Sequence, residues 1–394
     1  MANQCLVVPA PVVTPPGGQP FAPLPFTHFT NQTLRQVVHT SLGGSRVRVV
    51  LSNAHGTSSL VIGAASVALR DTDSVVQPAS VRPLTFSGRP TMSIPARALA
   101  YSDPVELNMA AMSDLAVDVY LPGTTDTPSP VTMHNASFQT NYISETGNHV
   151  GKATLPTVAT SQSWFFLSRV EVLAPEATAV VVAFGDSITD GIRSTPDSNN
   201  RWPDRLVRRA LAQPSPRRLA VLNAGIAGNR VLSEGAFAAG INALARFDAD
   251  VLGQAGVTHV VLLEGINDIG NARQNATPTA QDIIAGHRQL IERARSRGLT
   301  IIGATLTPFW GAAYYTDVGE AKRQAVNAWI RTSGAFDAVV DFDKATRDPT
   351  DPRKLRAEFD SCDHLHPNDA GYQAMAAAVD LTLFEHARST ATNR

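Results

Sequence analysis

The stretch Val180-Val-Val-Ala-Phe-Gly-Asp-Ser-Ile-Thr-Asp-Gly191 constrains this chain more than any other. Its apolar run reads as a buried strand, breaks at a glycine, and passes through a tight turn into a helix start. In an open α/β sheet the ligand site lies beyond the carboxyl ends of the strands, so a hydroxyl placed just after such a strand faces the crevice. Ser187 is therefore the candidate nucleophile. A serine after Gly-Asp can equally cap the following helix, so the case depends on partners elsewhere in the chain.

With 394 residues, the chain exceeds the size that one core usually serves, and its texture changes once. Residues 1–24 are rich in Pro and Gly and read as an extended arm. From 25 to 175 the pattern has period two: Val47, Val49 and Leu51 alternate with Arg46 and Arg48, and Leu115, Val117, Val119 and Leu121 alternate with Ala116, Asp118 and Tyr120. Glycine-containing turns punctuate these runs, which predicts an antiparallel β-sandwich of jelly-roll type. It reads either as a carbohydrate-binding module, with His134, Tyr142, His149 or Trp164 as contacts, or as a packing partner walling one side of a cleft.

From 176 to 394, strands alternate with helices. The predicted strands are Ala179–Phe184, Leu219–Asn223, His259–Leu263, Thr300–Ala304 and Ala338–Asp341. Helical patterns run through Trp202–Ala212, Gly240–Leu252, Ala280–Arg297, Gly319–Thr332 and Asn368–Phe384. Five buried strands separated by helices imply a parallel sheet covered on both faces.

The formal net charge of -1, with 33 basic and 34 acidic residues spread without long blocks, gives no footprint for nucleic acid or an anionic membrane. A neutral or weakly polar small molecule or glycan fits better. No apolar run approaches the length that crosses a bilayer, so stable membrane insertion is not expected. The opening lacks a basic segment followed by an apolar one, which leaves two compartments open: secreted or periplasmic if a signal was removed, cytoplasmic otherwise. Cys5 and Cys362 are the only cysteines. They are either unrelated thiols or a disulfide pinning the opening arm to the loop that carries Asp363. The sequence does not disclose the oligomeric state.

Serine needs a base, and Asp363-His-Leu-His366-Pro offers one just before the last helix. Acid and base three residues apart can reach the same side of the chain: His366 would take the proton and Asp363 would fix its tautomer. His364 faces another way in this reading. A tetrahedral intermediate also needs donors, and besides the Ser187 backbone N–H two strand ends could supply them. These are Gly228, in Ala224-Gly-Ile-Ala-Gly-Asn-Arg230, and the side chain of Asn267, in Glu264-Gly-Ile-Asn-Asp268.

Taken together, the GDS, AGN-type and GIND turns and the final DHLHP, in this order, resemble the SGNH (GDSL-type) hydrolase family over about residues 178–385, with Ile188 where the family name has leucine. The N-terminal part, through its Asn31-Gln-Thr-Leu-Arg-Gln-Val-Val run, is more loosely similar to the two-domain bacterial members. The resemblance implies a flavodoxin-like αβα sandwich. Within it Ser187 would be the nucleophile, Gly228 and Asn267 oxyanion donors, and Asp363 with His366 the rest of a triad. It further implies hydrolysis of carboxylic esters, often acetyl groups on carbohydrates, sometimes lipids, aryl esters or thioesters, with no metal or cofactor. Loops on the same face would choose the substrate, and Asp186, Arg230, Phe309, Trp310, Tyr314 and Tyr315 are the candidate contacts. Arg193, Asn199, Asn200 and Arg201 also lie near strand ends. The alternatives are a lipase or lysophospholipase and a non-catalytic carbohydrate-binding protein on the same scaffold.

Overall fold

Period-two alternation becomes sheet in the first half of the chain. The computed structural model describes residues 28–175, 178–213, 218–235, 239–272 and 277–385, so the opening arm and Cys5 lie outside the described residues. A six-stranded antiparallel sheet runs in the order Thr157–Ser161, Asn141–Thr146, Thr30–His39, Asp114–Thr124, Ala64–Leu69, Arg82–Pro83. In a second antiparallel sheet, Gly44–Ser52 pairs with Leu167–Val172, Leu99–Tyr101 and Val105–Met109. Successive side chains point to opposite faces, so Val47, Val49 and Leu51 from one sheet meet Leu34, Val117 and Val119 from the other in one core.

The outer face of the long strands is not all solvent. Arg35 and Asp118 stand opposite each other in the register and are 1% and 2% exposed. The guanidinium donates to both carboxylate oxygens, at 2.7 and 2.8 Å, and to the carbonyls of Ser74, Lys152 and Ala153. Asp118 also accepts the Gly151 N–H at 2.9 Å. Such a pair is tolerable in a dry site because nearly every donor and acceptor is matched.

In the second half, near-continuous apolar runs form a parallel sheet: β1 (Thr178–Gly185), β2 (Arg218–Gly225), β3 (His259–Leu263), β4 (Thr300–Ala304) and β5 (Ala338–Val340). Their order is β2-β1-β3-β4-β5, and every pairing is parallel. The chain steps to one side of β1 and then crosses to the other, so a crevice opens at the carboxyl ends of β1 and β3. The helices are α1 (Ser187–Asp190), α2 (Trp202–Leu211), α3 (Ala243–Phe247), α4 (Ile266–Ala272), α5 (Ala280–Ser296), α6 (Asp317–Thr332), α7 (Phe342–Thr346) and α8 (Asp369–Ala378). Among the described residues no helix is long and apolar enough to cross a membrane.

Two helices differ from expectation. The pattern at Gly240–Leu252 yields only α3 followed by one π-helical turn, Asp248–Leu252. The last pattern breaks where Val379 turns extended and Asp380 caps a separate 3-10 turn, Leu381–Phe384, by accepting the Thr382 N–H.

Removing one partner of the Arg35–Asp118 pair leaves a charge stranded in the dry. Asp118→Ala is expected to lower folding stability by about 3–5 kcal/mol. Reversible urea unfolding checks this, and a loss below about 1 kcal/mol, the range of an exposed pair, would contradict it.

Candidate active site

The site is built where β1 ends. At Gly185 the chain turns at once into α1, a single helical turn whose N-cap, Asp186, accepts the Ile188 N–H at 2.9 Å. Ser187 opens that turn, so its N–H is one of the donors a helix start leaves without an intrahelical partner. The helix sits tightly on the end of β2: a Cβ added at Gly225 would stand 2.1 Å from the Asp190 N, so only glycine allows the approach. Asn223 Nδ2 donates to the Thr189 carbonyl at 2.7 Å and the Ala227 N–H to Asp190 Oδ2 at 3.1 Å, fastening α1 to the loop after β2. Ser187 is 5% exposed.

The loop before α8 brings its base to this hydroxyl. Asp363 Oδ1 accepts the N–H groups of Leu365 and His366, at 3.1 and 2.9 Å, a turn that folds the chain back on its own carboxylate. Asp363 Oδ2 then lies 2.8 Å from His366 Nδ1, and His366 Nε2 lies 2.9 Å from Ser187 Oγ. With Nδ1–H donating to the carboxylate, Nε2 is left to accept the serine proton. Burial works against the charged form of Asp363, but the hydrogen bond and charge of His366 and the two N–H groups outweigh it. Its carboxyl is held well below the usual carboxylate range. His364 turns instead to Asp360, Nδ1 to Oδ2 at 2.5 Å. Cys362 is disulfide-bonded, and Cys5 lies outside the described residues.

The donors expected from the neighbouring strand ends gather on the same side. Gly228, at φ +78, lies in the turn after β2. Asn267, at the start of α4, is 5% exposed and donates from Nδ2 to the Asn229 carbonyl at 3.0 Å, which leaves one amide N–H for another acceptor. Tyr314 donates its hydroxyl to Asn267 Oδ1 at 3.3 Å. Asp268 ties the two loops together by accepting the N–H groups of Val231 and Leu232, at 2.8 and 3.0 Å.

Residues 183–374 match the GDSL-like Lipase/Acylhydrolase family. This half of the chain is a GDSL-like lipase/acylhydrolase domain. No curated protein matches the chain. Among solved structures, a GDSL-like lipase from Bacteroides thetaiotaomicron is 20% identical, covering 50% of this chain and 84% of its own, with a TM-score of 0.37. A carbohydrate acetylesterase family member from Sinorhizobium meliloti is 18% identical over 52% of this chain and 97% of its own, with a TM-score of 0.42. An aryl esterase of M. smegmatis is 14% identical over 51% and 95%, with a TM-score of 0.40. Likeness this distant carries no information about substrate.

Beneath the surface of the GDSL-like domain lies a cluster of buried carboxyls. Asp186 and Glu264 are 0% exposed, and Arg246, 2% exposed, donates to Glu264 Oε1 at 3.2 Å. Burial raises the Asp186 pKa to about 7, aided by the charges of Asp268 and Asp190 and opposed by the Ile188 N–H and Arg246. Burial and the Asp186 charge push Glu264 up as well, against Arg246. Burial likewise lifts Asp268 to about 6 in spite of its backbone donors. Neither Asp186 Oδ2 nor Glu264 Oε2 has a hydrogen-bond partner among the described residues, which a neutral carboxyl tolerates better than a carboxylate.

The residues expected at the cleft are placed variously, some buried and some tied to other partners. Phe309 is 0% exposed and packs in the core against the Tyr315 ring at 5.0 Å, because the loop after β4 turns it inward. Asp186 is equally buried, as the N-cap of α1. Trp310 is 38% exposed, with Lys354 Nζ 4.1 Å from its ring centroid, and the Tyr315 hydroxyl donates to Asp317 at 3.0 Å. Arg230 is half-buried within the field of Asp268. Arg193 Nε donates to Asp363 Oδ2 at 3.1 Å, whereas Asn200 and Arg201 bond to Asp369 and Asp204. Of the four sugar-contact candidates, Tyr142 and His149 are buried and Trp164 donates to the Val37 carbonyl at 2.8 Å. The fourth, His134, points at Asp190. Sequence reasoning passed over Arg246 and Asp190; a lone arginine among the apolar residues of α3 was the only sign of the first. Among the described residues, no group of three His, Cys, Asp or Glu side chains is placed to hold a metal ion.

The raised Asp186 pKa has a consequence for stability. A carboxyl that binds its proton more tightly folded than unfolded favours the fold at low pH and loses that contribution as pH rises toward its folded pKa of about 7. Asp186→Asn keeps the cap acceptor and removes the titration. The parent should therefore lose stability relative to this variant between about pH 4 and pH 7. Parallel pH profiles of the two unfolding midpoints would contradict it.

Proposed function

We propose that this protein is a serine esterase that hydrolyses carboxylic esters with short acyl groups through an acyl-enzyme. The match of residues 183–374 to the GDSL-like family supports the ester hydrolase class, and the observation that carries the mechanism is the continuous line from Asp363 through His366 to Ser187 Oγ, with contacts of 2.8 and 2.9 Å.

Ser187 Oγ attacks the ester carbonyl carbon as its proton passes to His366 Nε2, and the carbonyl π electrons move onto oxygen. The Ser187 and Gly228 N–H groups and the free amide N–H of Asn267 receive that oxyanion. Collapse of the intermediate breaks the C–O bond to the alcohol, which leaves with the proton from His366. Water, deprotonated by the same nitrogen, then attacks the acyl-serine; collapse breaks the acyl C–Oγ bond, His366 returns the proton to Ser187 Oγ, and the acid leaves. Asp363 stays ionised throughout, holding the Nδ1–H tautomer and stabilising the imidazolium.

Tyr314 supports a short acyl group. Its ring packs on Gly270, where an added Cβ would meet it at 2.3 Å, and its hydroxyl reaches Asn267, so an aromatic wall stands beside an oxyanion donor. The binding-protein alternative gains nothing from the β-sandwich, since its candidate contacts are buried or engaged.

The test is hydrolysis of p-nitrophenyl acetate and p-nitrophenyl octanoate by the parent and by Ser187→Ala. The parent should prefer the acetate by about tenfold or more in kcat/KM, and the variant, folded, should lose turnover of both. Retained hydrolysis in the variant would overturn the serine mechanism, and a preference for octanoate would overturn the short acyl group in favour of a lipase.

A further inference from the structure

One contact joins the β-sandwich half to the reacting end of the other half. His134, on the short strand Met133–His134 paired with Trp164–Phe165, places Nε2 2.9 Å from Asp190 Oδ1. Asp190 is the last residue of α1, the turn that Ser187 opens, and is 2% exposed. Its other oxygen accepts the Ala227 N–H at 3.1 Å, one residue before Gly228. A single carboxylate thus touches the helix of the serine, the turn of the Gly228 donor and a side chain from the other half.

We propose that His134 is a positioning residue for the hydrolase site: by holding Asp190 it fixes α1 against the 226–230 turn, and so sets the spacing between the Ser187 hydroxyl and the Gly228 N–H. This rests on the esterase reading of the same site. His134 is itself braced. The Trp164 ring lies 5.6 Å from its own, and Trp164 Nε1 is tied to the Val37 carbonyl in the long central strand at 2.8 Å. Other contacts join the halves without it: Asp197 accepts the Thr140 N–H and hydroxyl, both at 2.6 Å, and Asn199 Nδ2 donates to Asp114 at 3.3 Å. Loss of the imidazole therefore loosens one point and leaves the halves together.

The charged groups acting on the ring are Asp190 from α1 and Arg201 from the start of α2. Burial disfavours its protonation and Arg201 adds to that, but the charge and hydrogen bond of Asp190, with a backbone bond at Ala136, prevail and raise its pKa. A raised pKa means that the charged pair is fully formed at lower pH and is lost as pH rises through the folded value.

The experiment compares the parent with His134→Ala and His134→Gln. Kinetics on p-nitrophenyl acetate from pH 5 to 9 are paired with hydrogen exchange of peptides covering residues 187–191 and 226–230. In His134→Ala, kcat should fall by about 10- to 100-fold, the cost of a small misplacement, with KM within about twofold. Exchange in both segments should quicken. His134→Gln, whose amide can donate to Asp190 at any pH, should restore most of kcat and remove the parent's loss of rate on the alkaline side. A folded His134→Ala protein with parental exchange in both segments and parental kcat would overturn the proposal. The exchange readout needs no turnover, so a parent that hydrolyses nothing would sink the esterase reading while this inference was still judged by exchange.

Discussion

Everything in the site depends on how closely α1 can settle on the ends of two strands. β1 is flanked by β2 and β3, and the helix that follows it must pass over the end of β2, where any side chain at Gly225 would strike the Asp190 backbone. Once seated, the turn is held from below by Arg246, which donates to the carbonyls of Gly185 and Ala224, each at 2.8 Å, and lies 4.0 Å from the centre of the Phe184 ring. The serine is thereby placed on rigid backbone at the mouth of the crevice, and the remaining parts of the site need only reach it. That is the arrangement a reaction sensitive to fractions of an ångström requires.

The buried cluster below has a physical logic of its own. Two guanidiniums, Arg246 beside Asp186 and Glu264 and Arg230 near Asp268, face three carboxyls, too few positive charges for three carboxylates in a dry place. Protonation relieves the excess, so burial makes the acids on the floor of the site hold their protons more tightly while Asp363, steadied by His366 and two backbone N–H groups, is pushed the other way at its rim. Environment alone separates carboxyls of the same chemistry into structural and electrostatic parts.

Much of this was legible in the sequence because each part leaves a local mark. A five-residue apolar run, Val180 to Phe184, that breaks at a glycine, a two-residue spacer between Asp363 and His366, and glycine or asparagine at strand ends all follow from backbone geometry. The five parallel strands lie where the hydrophobic runs put them. What was not legible depends on long-range packing. Phe309 and Trp310 are adjacent aromatics with the same chemistry, and only the path of the loop decides that the first is buried and the second exposed. His134 read as a possible sugar contact, since nothing within the β-sandwich sequence shows that α1 of the other half will bring Asp190 beside it. Arg246, whose contacts span from Gly185 to Glu264, has partners up to 61 residues away.

The central claim is that the acyl group passes through Ser187, and the most direct measurement is to look for it there. p-Nitrophenol is so good a leaving group that acylation outpaces deacylation, and the acyl-enzyme accumulates in the first turnovers. Parent protein mixed with p-nitrophenyl acetate, quenched in acid during this burst and digested, should carry an acetyl group on the peptide containing Ser187, on that residue, and should lose it when the reaction is left to run out. Turnover of the ester with no acetyl group on Ser187, or with the adduct on another residue, would contradict the account.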